Sequence, residues 1–179
     1  MATMDFFQTV RARQSVRAYQ AKAIEPEKLE IILTAANRAP SAGNLQAYEI
    51  LVVRDRPTLR QLAQVALNQS FIAQAAVVLV FCADSPRSAA KYGAAGERLY
   101  SVQDATIAAA YAELAATALG LAACWVGAFD EKEVAKLLGL RAGLRPLVLL
   151  PIGWPAEQPP RTPRRALGDI AREHQPPKT

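Results

Sequence analysis

Apolar residues in this chain recur at two spacings, every three or four residues in some segments and in alternating or continuous short runs in others. The first spacing predicts helices and the second predicts strands, with proline and glycine marking the boundaries. The predicted elements are a short helix capped by Asp5, a helix from Pro26 to Ala39, a strand at 47–53, a helix from about Pro57 to Leu67, a strand at 77–83, an alanine-rich helix at 101–119, a strand at 123–129, a helix at 130–138 and a strand at 146–154. Because helices and strands alternate without an internal repeat, residues 1–179 are expected to form a single α+β or α/β domain.

Capping residues support two of these helices. Ser101 and Asp104 match a capping box at the start of the alanine-rich helix, and Gly120 suits the left-handed position that follows a helix. Asp130 and Glu133 match a second capping box. Both helices are therefore expected to begin where these side chains stand.

Two segments lack a regular pattern. Residues 84–100 read DSPRSAAKYGAAGERLY, which predicts a mobile loop or an irregular helix. Residues 155–179 are rich in proline and arginine, so this C-terminal arm is expected to be disordered or to lie extended on another surface. Tyr92, Tyr100 and Trp125 are candidates for stacking on an aromatic substrate, although scattered aromatics also serve as core or surface residues.

Composition narrows the class of protein. The chain has 179 residues, of which 51% are hydrophobic and 21% charged, as expected for one globular domain. A formal net charge of +5 favours an anionic partner, either a nucleic acid, a membrane surface or a phosphorylated small molecule. Residues 105–129 contain Glu113 as their only charged side chain, but their alanines favour a buried helix and strand over a membrane span.

The cysteines and the histidine exclude other classes of site. Cys82 and Cys124 lie in apolar runs far apart in sequence, which predicts buried, reduced thiols of a cytoplasmic protein. A zinc site is not expected, because His174 is the only histidine. The N-terminus shows no apolar segment after a basic start, so no secretory signal is expected.

The basic stretch RARQSVRAY is the first candidate binding segment. If it is extended, Arg13, Ser15 and Arg17 point to one side and Gln14 to the other. Two guanidinium groups beside a hydroxyl can bind several oxygens of a phosphate or a carbonyl edge. The alternative is a solvated, charged surface turn.

A second candidate lies in PSAGNLQ, between a predicted helix and a predicted strand. Ser41 and the backbone of Gly43 allow close approach of a planar ligand, while Asn44 and Gln46 carry amides that can both donate and accept. Taken alone, this segment would be interpreted as an ordinary turn.

Six segments in order resemble the FMN-dependent nitroreductase family over nearly the whole chain. They are RQSVRAY, APSAGNLQ, NQSFIAQAAVVLVFCAD, DATIAAAYAELAATALGLAACWVGAF, LLPIGWPAE and PRRAL. The resemblance implies an α+β nitroreductase-like fold, with a mostly antiparallel central sheet flanked by helices. It also implies an intertwined homodimer whose helical core contains residues 101–119, with flavin sites at the interface.

Site residues follow from the same resemblance. Arg13, Ser15 and Arg17 are implied to bind the phosphate and the pyrimidine side of non-covalent FMN, with Gln14 replacing a residue that is often basic in the family. The loop with Pro40, Ser41, Ala42 and Asn44 is implied to come from the second subunit. Asn68 is implied at the polar edge of the ring, Gly127 and Ala128 beside it, and Arg164 at the phosphate, with Arg161 and Arg165 as rivals for this last role.

The implied activity is transfer of a hydride from NAD(P)H through FMN to a nitroaromatic, quinone or similar acceptor, by a ping-pong mechanism. The chain offers no Ser/His/Asp set, and a flavin enzyme needs none because the cofactor carries the redox chemistry. Arg17 is open to two roles, a phosphate clamp or tuning of the flavin potential. The alternatives are an oxygen-reacting enzyme of the same fold that fragments its flavin, and a basic anion- or nucleic-acid-binding module without cofactor.

Overall fold

A computed structural model describes residues 4–175 of the chain. The helices are α1 (Phe6–Ala12), α2 (Pro26–Asn37), α3 (Arg56–Val65), α4 (Ser85–Ala95), α5 (Ser101–Ala118) and α6 (Glu131–Leu137). The strands are β1 (Tyr48–Val53), β2 (Val77–Asp84), β3 (Ala122–Ala123) and β4 (Leu144–Gly153). Short 3₁₀ turns occupy Ala42–Asn44, Ser70–Gln74 and Leu167–Asp169, and a π-helical turn at Gly96–Tyr100 joins α4 to α5.

The four strands form one antiparallel sheet in the order β1-β2-β4-β3. Every residue of β2 is buried, because helices cover both faces of the sheet. Side chains of β2 alternate between two cores: Val78, Val80 and Cys82 face α3 and α6, whereas Val77, Leu79 and Phe81 face α2 and α5. The predicted α+β fold with an antiparallel sheet flanked by helices is confirmed.

Helix α5 begins differently from the prediction. The π-helical turn runs directly into it, so Tyr100 already has helical backbone angles and no side chain caps the helix. Ser101 donates its hydroxyl to the carbonyl of Glu97 at 3.0 Å, and the Asp104 carboxylate turns away to another loop. The capping box predicted at Ser101 and Asp104 is therefore wrong.

Other predicted boundaries are close to the observed ones. Asp5 caps α1 by accepting from the backbone N–H of Gln8 at 2.8 Å. Asp130 caps α6, but Glu133 contacts Lys136 instead of closing the predicted capping box. Helix α2 ends at Asn37, slightly before the predicted Ala39, because Arg38 already turns the chain.

The predicted strand at 123–129 is only partly formed. Residues 122–123 pair with β4, and the backbone of Cys124 still donates to Pro151 at 3.3 Å. Pro151 has no N–H to donate back, so the ladder is interrupted and resumes only at the isolated Val126–Leu149 bridge. The segment after β3 thus becomes irregular, and it exposes Gly127 and Ala128.

Residues 84–100 form the irregular helix of the two predicted alternatives. Gly93 breaks α4 with a φ of 54°, and the π-helical turn follows. Residues 160–175 are exposed and largely extended, so they form an arm rather than part of the core. In the part of the chain described here, no helix is both long and apolar enough to cross a bilayer.

Candidate functional site

The segment from Arg13 to Tyr19 is extended and lies along the edge of the sheet beside β3. The backbone N–H of Val16 donates to the carbonyl of Ala123 at 3.1 Å. The buried Tyr19 hydroxyl donates to the carbonyls of Val16 at 2.8 Å and Pro151 at 3.2 Å. Because Val16 is buried against the sheet, its neighbour Arg17 is exposed. The extended conformation considered for this segment is therefore the observed one.

Two further segments meet this one. The Arg17 guanidinium carbon lies 5.9 Å from the centre of the Phe71 ring. Gln69 donates its side-chain N–H to the carbonyl of Ala128 at 3.0 Å, which brings Asn68 close to Gly127 and Ala128. We call residues 13–17, 68–71 and 127–128 the arginine half-site.

The two arginines of the arginine half-site differ in whether an acidic side chain pairs with them. Arg13 pairs with the Glu113 carboxylate of α5 at 3.2 Å, whereas the Arg17 side chain makes no ion pair with any residue in the range 4–175. Burial raises the pKa of the neighbouring Cys124 thiol, and the positive charge of Arg17 opposes this rise only in part. Arg17 is therefore available to an anionic ligand.

Gln14 points away from these groups. It lines a cavity of about 610 Å³ together with Thr117 and Glu157, whereas Arg13 and Arg17 do not. Its side-chain oxygen is buried and has no hydrogen-bond partner among the described residues. A buried acceptor left in this state is costly, so a donor from a ligand or solvent is needed there.

The residues from Pro40 to Gln46 form a second group, which we call the loop half-site. Ser41 accepts hydrogen bonds from the backbone N–H and the side-chain amide of Gln46, at 3.0 and 3.1 Å. Gly43 lies so close to the Tyr92 hydroxyl that a Cβ atom there would overlap it. Arg87 donates to the carbonyl of Leu45 at 2.6 Å, so helix α4 holds this loop from the side.

Backbone strain is concentrated in these two half-sites. Among residues 4–175, the non-glycine residues with positive φ are Asn44, Gln46, Leu67 and Asn68, with values from 45° to 58°. All four lie in or next to the segments selected from the sequence. Such strain persists where the surrounding structure enforces it, and it clusters at binding sites.

Helix α5 carries an anchor for each half-site, Asp104 for the loop and Glu113 for Arg13. These residues are nine positions apart, which corresponds to about 13 Å along the helix axis and to about half a turn around it. Within one chain, the two half-sites therefore attach to α5 at different levels and on opposite faces.

The C-terminal arm brings one arginine to helix α1, two residues before the arginine half-site begins. Arg161 donates to the carbonyl of Arg11 at 2.8 Å, close to Arg13. Arg165 donates instead to the carbonyl of Asp169 within the arm. No side-chain hydrogen bond from Arg164 to another described residue is present, so the structure favours Arg161 for the neighbourhood of Arg13.

Comparison with known proteins shows which family has this sequence and fold. The family model described as "Nitroreductase family" matches residues 10–70 and 60–154, which include both half-sites. The chain belongs to the nitroreductase family. The family assignment made from the sequence is thereby confirmed.

Individual members of the nitroreductase family agree with this result. The oxygen-insensitive NADPH nitroreductase of Salmonella typhimurium is 31% identical, with 90% of this chain and 70% of the relative covered. The NADH dehydrogenase of Thermus thermophilus is 33% identical, with 82% and 84% covered. The solved structure of the NADPH:FMN oxidoreductase from Vibrio harveyi, complexed with NAD⁺, is 30% identical in sequence and superimposes with a TM-score of 0.87. The superposition covers 97% of this chain and 78% of the Vibrio harveyi chain.

Sequence reasoning missed several residues of the site. The sequence predicts a capping role for Asp104 and marks Glu113 only as a charge in an apolar segment, yet each contacts one half-site. Tyr92 was considered for stacking but lies against Gly43. Two buried acids in an alanine-rich helix are the signal that points to Asp104 and Glu113, because buried carboxylates need partners.

Proposed function

We propose that the protein is an FMN-dependent oxidoreductase that takes a hydride from NAD(P)H and reduces a small acceptor such as a nitroaromatic or a quinone. The enzyme class and the cofactor predicted from the sequence are confirmed by relatives named as nitroreductases, FMN reductases and flavin oxidoreductases. FMN supplies the hydride-accepting ring when it is bound, and the protein supplies binding and electrostatics. The two alternative functions are not favoured by these relatives.

The described residues fit FMN chemically. The arginine half-site offers the exposed guanidinium of Arg17 and the second guanidinium of Arg13, which suit a phosphate or a carbonyl edge. Gln14, which the resemblance places with these residues, faces the cavity with Thr117 and Glu157 instead, so we do not assign it to the same part of FMN. We assign Arg13, Ser15 and Arg17 to the phosphate and pyrimidine side of FMN.

The remaining contacts of one chain are assigned from their position. Asn68, Gly127 and Ala128 are exposed beside Arg17, where a planar ring has access to backbone groups. The resemblance places Arg164 at the phosphate with Arg161 and Arg165 as rivals, and the hydrogen bond from Arg161 to Arg11 supports Arg161 for this role.

The loop half-site is assigned to the FMN of a second protomer. Pro40, Ser41, Ala42 and Asn44 attach to the opposite face of α5 from Arg13, so the two half-sites of one chain do not face one shared cleft. A homodimer brings the loop of one chain to the arginines of the other. This separation along α5 is the observation that carries the proposal of a composite site.

Exposed apolar side chains support the dimer. Phe6 and Phe7 on α1 are 67% and 69% exposed, and Ile107 and Tyr111 on α5 are also exposed. Leu167 on the C-terminal arm is 74% exposed. Apolar groups on two helices and an extended arm are typical of surfaces that a partner covers.

The free, buried thiols of Cys82 and Cys124 support a reducing compartment, which we take to be the cytoplasm.

Subunit complementation tests the composite site. Arg13→Ala damages one half-site and Ser41→Ala the other, so each homodimer loses FMN affinity at both of its sites. After the variants are mixed, denatured and refolded together, half of the dimers are mixed, and each has one intact site. Recovery of about a quarter of wild-type FMN binding is expected. No recovery above the unmixed variants would contradict a site built from two chains.

A further inference from the structure

Asp104 is a buried carboxylate with two backbone partners in another part of the chain. Its residue is 2% exposed. One oxygen accepts from the N–H of Ala42 at 2.8 Å, and the other accepts from the N–H of Ala47 at 3.3 Å. A single side chain thus holds the loop half-site at both ends, directly against helix α5.

The loop between these two points does not adopt a relaxed conformation. Gly43, Asn44 and Gln46 have positive φ values of 57°, 57° and 45°. Inside the loop, Ser41 accepts from Gln46, and Gln46 donates to Asn44 at 2.6 Å. Glutamine rarely adopts left-handed backbone, although asparagine does so more readily, so Gln46 needs support from its surroundings. The two bonds to Asp104 tie both ends of the loop to α5, in addition to the bond from Arg87 to Leu45.

The charge of Asp104 has no cationic partner among residues 4–175. Its hydrogen-bond partners are instead the backbone N–H groups of Ala42 and Ala47. The carboxylate also helps to raise the pKa of Tyr48, after the larger effect of burial. The loop's own backbone N–H groups therefore give the buried Asp104 carboxylate the hydrogen-bond partners that it needs.

We propose that Asp104 is a positioning residue of the cofactor site, which fixes Ser41 and Asn44 in the geometry that they present to FMN. This inference rests on the proposed function, because it takes the loop half-site as part of the FMN site. Asp104 does not itself touch the cofactor in this account. Its action passes through the backbone of Ala42 and Ala47.

Amide hydrogen exchange of the FMN-free protein tests the restraint without any activity measurement. In the wild type, the N–H groups of Ala42 and Ala47 are expected to exchange slowly. In Asp104→Ala they lose their acceptor and are expected to exchange at least tenfold faster, with Asp104→Asn in between because it keeps one oxygen acceptor. Unchanged protection of both amides in the folded Asp104→Ala variant would overturn the proposal.

FMN affinity, followed by quenching of FMN fluorescence, tests the consequence. Asp104→Ala is expected to weaken FMN binding at least tenfold, and Asp104→Asn less. The matched control is Asp55→Ala, which removes a carboxylate that accepts from the backbone N–H of Thr58 at 2.9 Å at the start of α3. This control is expected to lower stability but to leave FMN affinity unchanged.

A double variant separates positioning from a general loss of structure. If Asp104 acts through Ser41, then Ser41→Ala weakens FMN binding in the wild type but has little further effect in Asp104→Ala. Full additivity of the two losses would overturn the proposal. If the wild type binds no FMN, the proposed function fails; if it binds FMN and Asp104→Ala binds it equally well, only this inference fails.

Discussion

The guanidinium of Arg13 and the carboxylate of Glu113 form an ion pair of 3.2 Å that joins the segment after α1 to helix α5. Their side chains are 22% and 11% exposed. The pair therefore lies in a mostly dry environment, where each charge depends on the other. It fixes one face of Arg13 and leaves its remaining N–H donors for another ligand.

Loss of Arg13 is expected to destabilise the FMN-free protein because it leaves the Glu113 carboxylate buried without its partner. Arg13→Ala should lower the free energy of unfolding by about 2 kcal/mol, less than for a fully buried pair since Arg13 is partly exposed. The double variant Arg13→Ala/Glu113→Gln should recover about half of this loss. Urea unfolding measures both. Equal stability of the single and double variants would show that the unpaired Glu113 carboxylate is not the cause of the loss.

Leu67 offers a test of the strain beside Asn68. This leucine is 69% exposed and has a φ of 57°, a conformation that glycine adopts without steric cost. Leu67→Gly is expected to raise the free energy of unfolding by about 0.5–1 kcal/mol, because relief of strain outweighs the greater entropy of the unfolded chain.

The matched control for this change is Leu99→Gly. Leu99 is 50% exposed in the π-helical turn and does not have positive φ. Glycine there should lower stability by about 0.5–1 kcal/mol. Thermal or urea unfolding of the two FMN-free variants gives the comparison. A loss of stability in both variants would argue against strain at Leu67.

Stability should fall at alkaline pH because buried acids stay neutral in the folded state. Burial, with a smaller effect of Glu49, raises the pKa of the Cys82 thiol from 9.0 to about 12. Burial raises the pKa of Tyr19 as well. The unfolded chain then loses protons first as the pH rises, so the stabilisation is complete below about pH 9 and is lost progressively up to about pH 12.

Cys82→Ala isolates the thiol in this pH dependence. The variant should show a decline in unfolding free energy that is shallower by up to about 1.4 kcal/mol per pH unit between pH 9 and 11. Val80→Ala is the control, since Val80 is equally buried on β2 but does not ionise. It should shift the whole curve without changing its slope. Identical slopes for Cys82→Ala and wild type in urea unfolding with a reductant would contradict the account.

Sequence reasoning succeeded where local rules and tertiary structure agree. Asp5 and Asp130 cap helices as their positions predict, and the continuous apolar run at 77–83 is the buried central strand. It failed where a distant contact decides. Asp104 lies three residues after Ser101, as a capping box requires, but the π-helical turn leaves no free helix end there. Two backbone N–H groups of another loop donate to its carboxylate instead.

The site was predicted in its parts but not in its arrangement. Residue types and spacing selected the segments with Arg13, Arg17 and Ser41, and the family resemblance added Asn68. Arg17 and Asn68 are exposed, and Asn68 also has a positive φ. The separation of the two half-sites by α5 depends on which helix face each segment contacts. Those contacts depend on the tertiary structure, so the residue spacing within either segment cannot predict them.

A ping-pong order is expected if both substrates use the same face of bound FMN. NAD(P)H and the acceptor are expected to occupy the same cleft in turn. Double-reciprocal plots of rate against NAD(P)H concentration at several acceptor concentrations should therefore give parallel lines. Intersecting lines would show that both substrates are bound together, and the shared cleft would have to be abandoned.

The visible absorption spectrum of the purified protein tests the central claim most directly. FMN is added to the protein, excess cofactor is removed by gel filtration, and the retained flavin is released by denaturation and identified. The account predicts a yellow protein with equimolar, non-covalent FMN, and a clear loss of this flavin in Arg13→Ala. A colourless protein that retains no FMN, while its circular dichroism shows a folded chain, would contradict it.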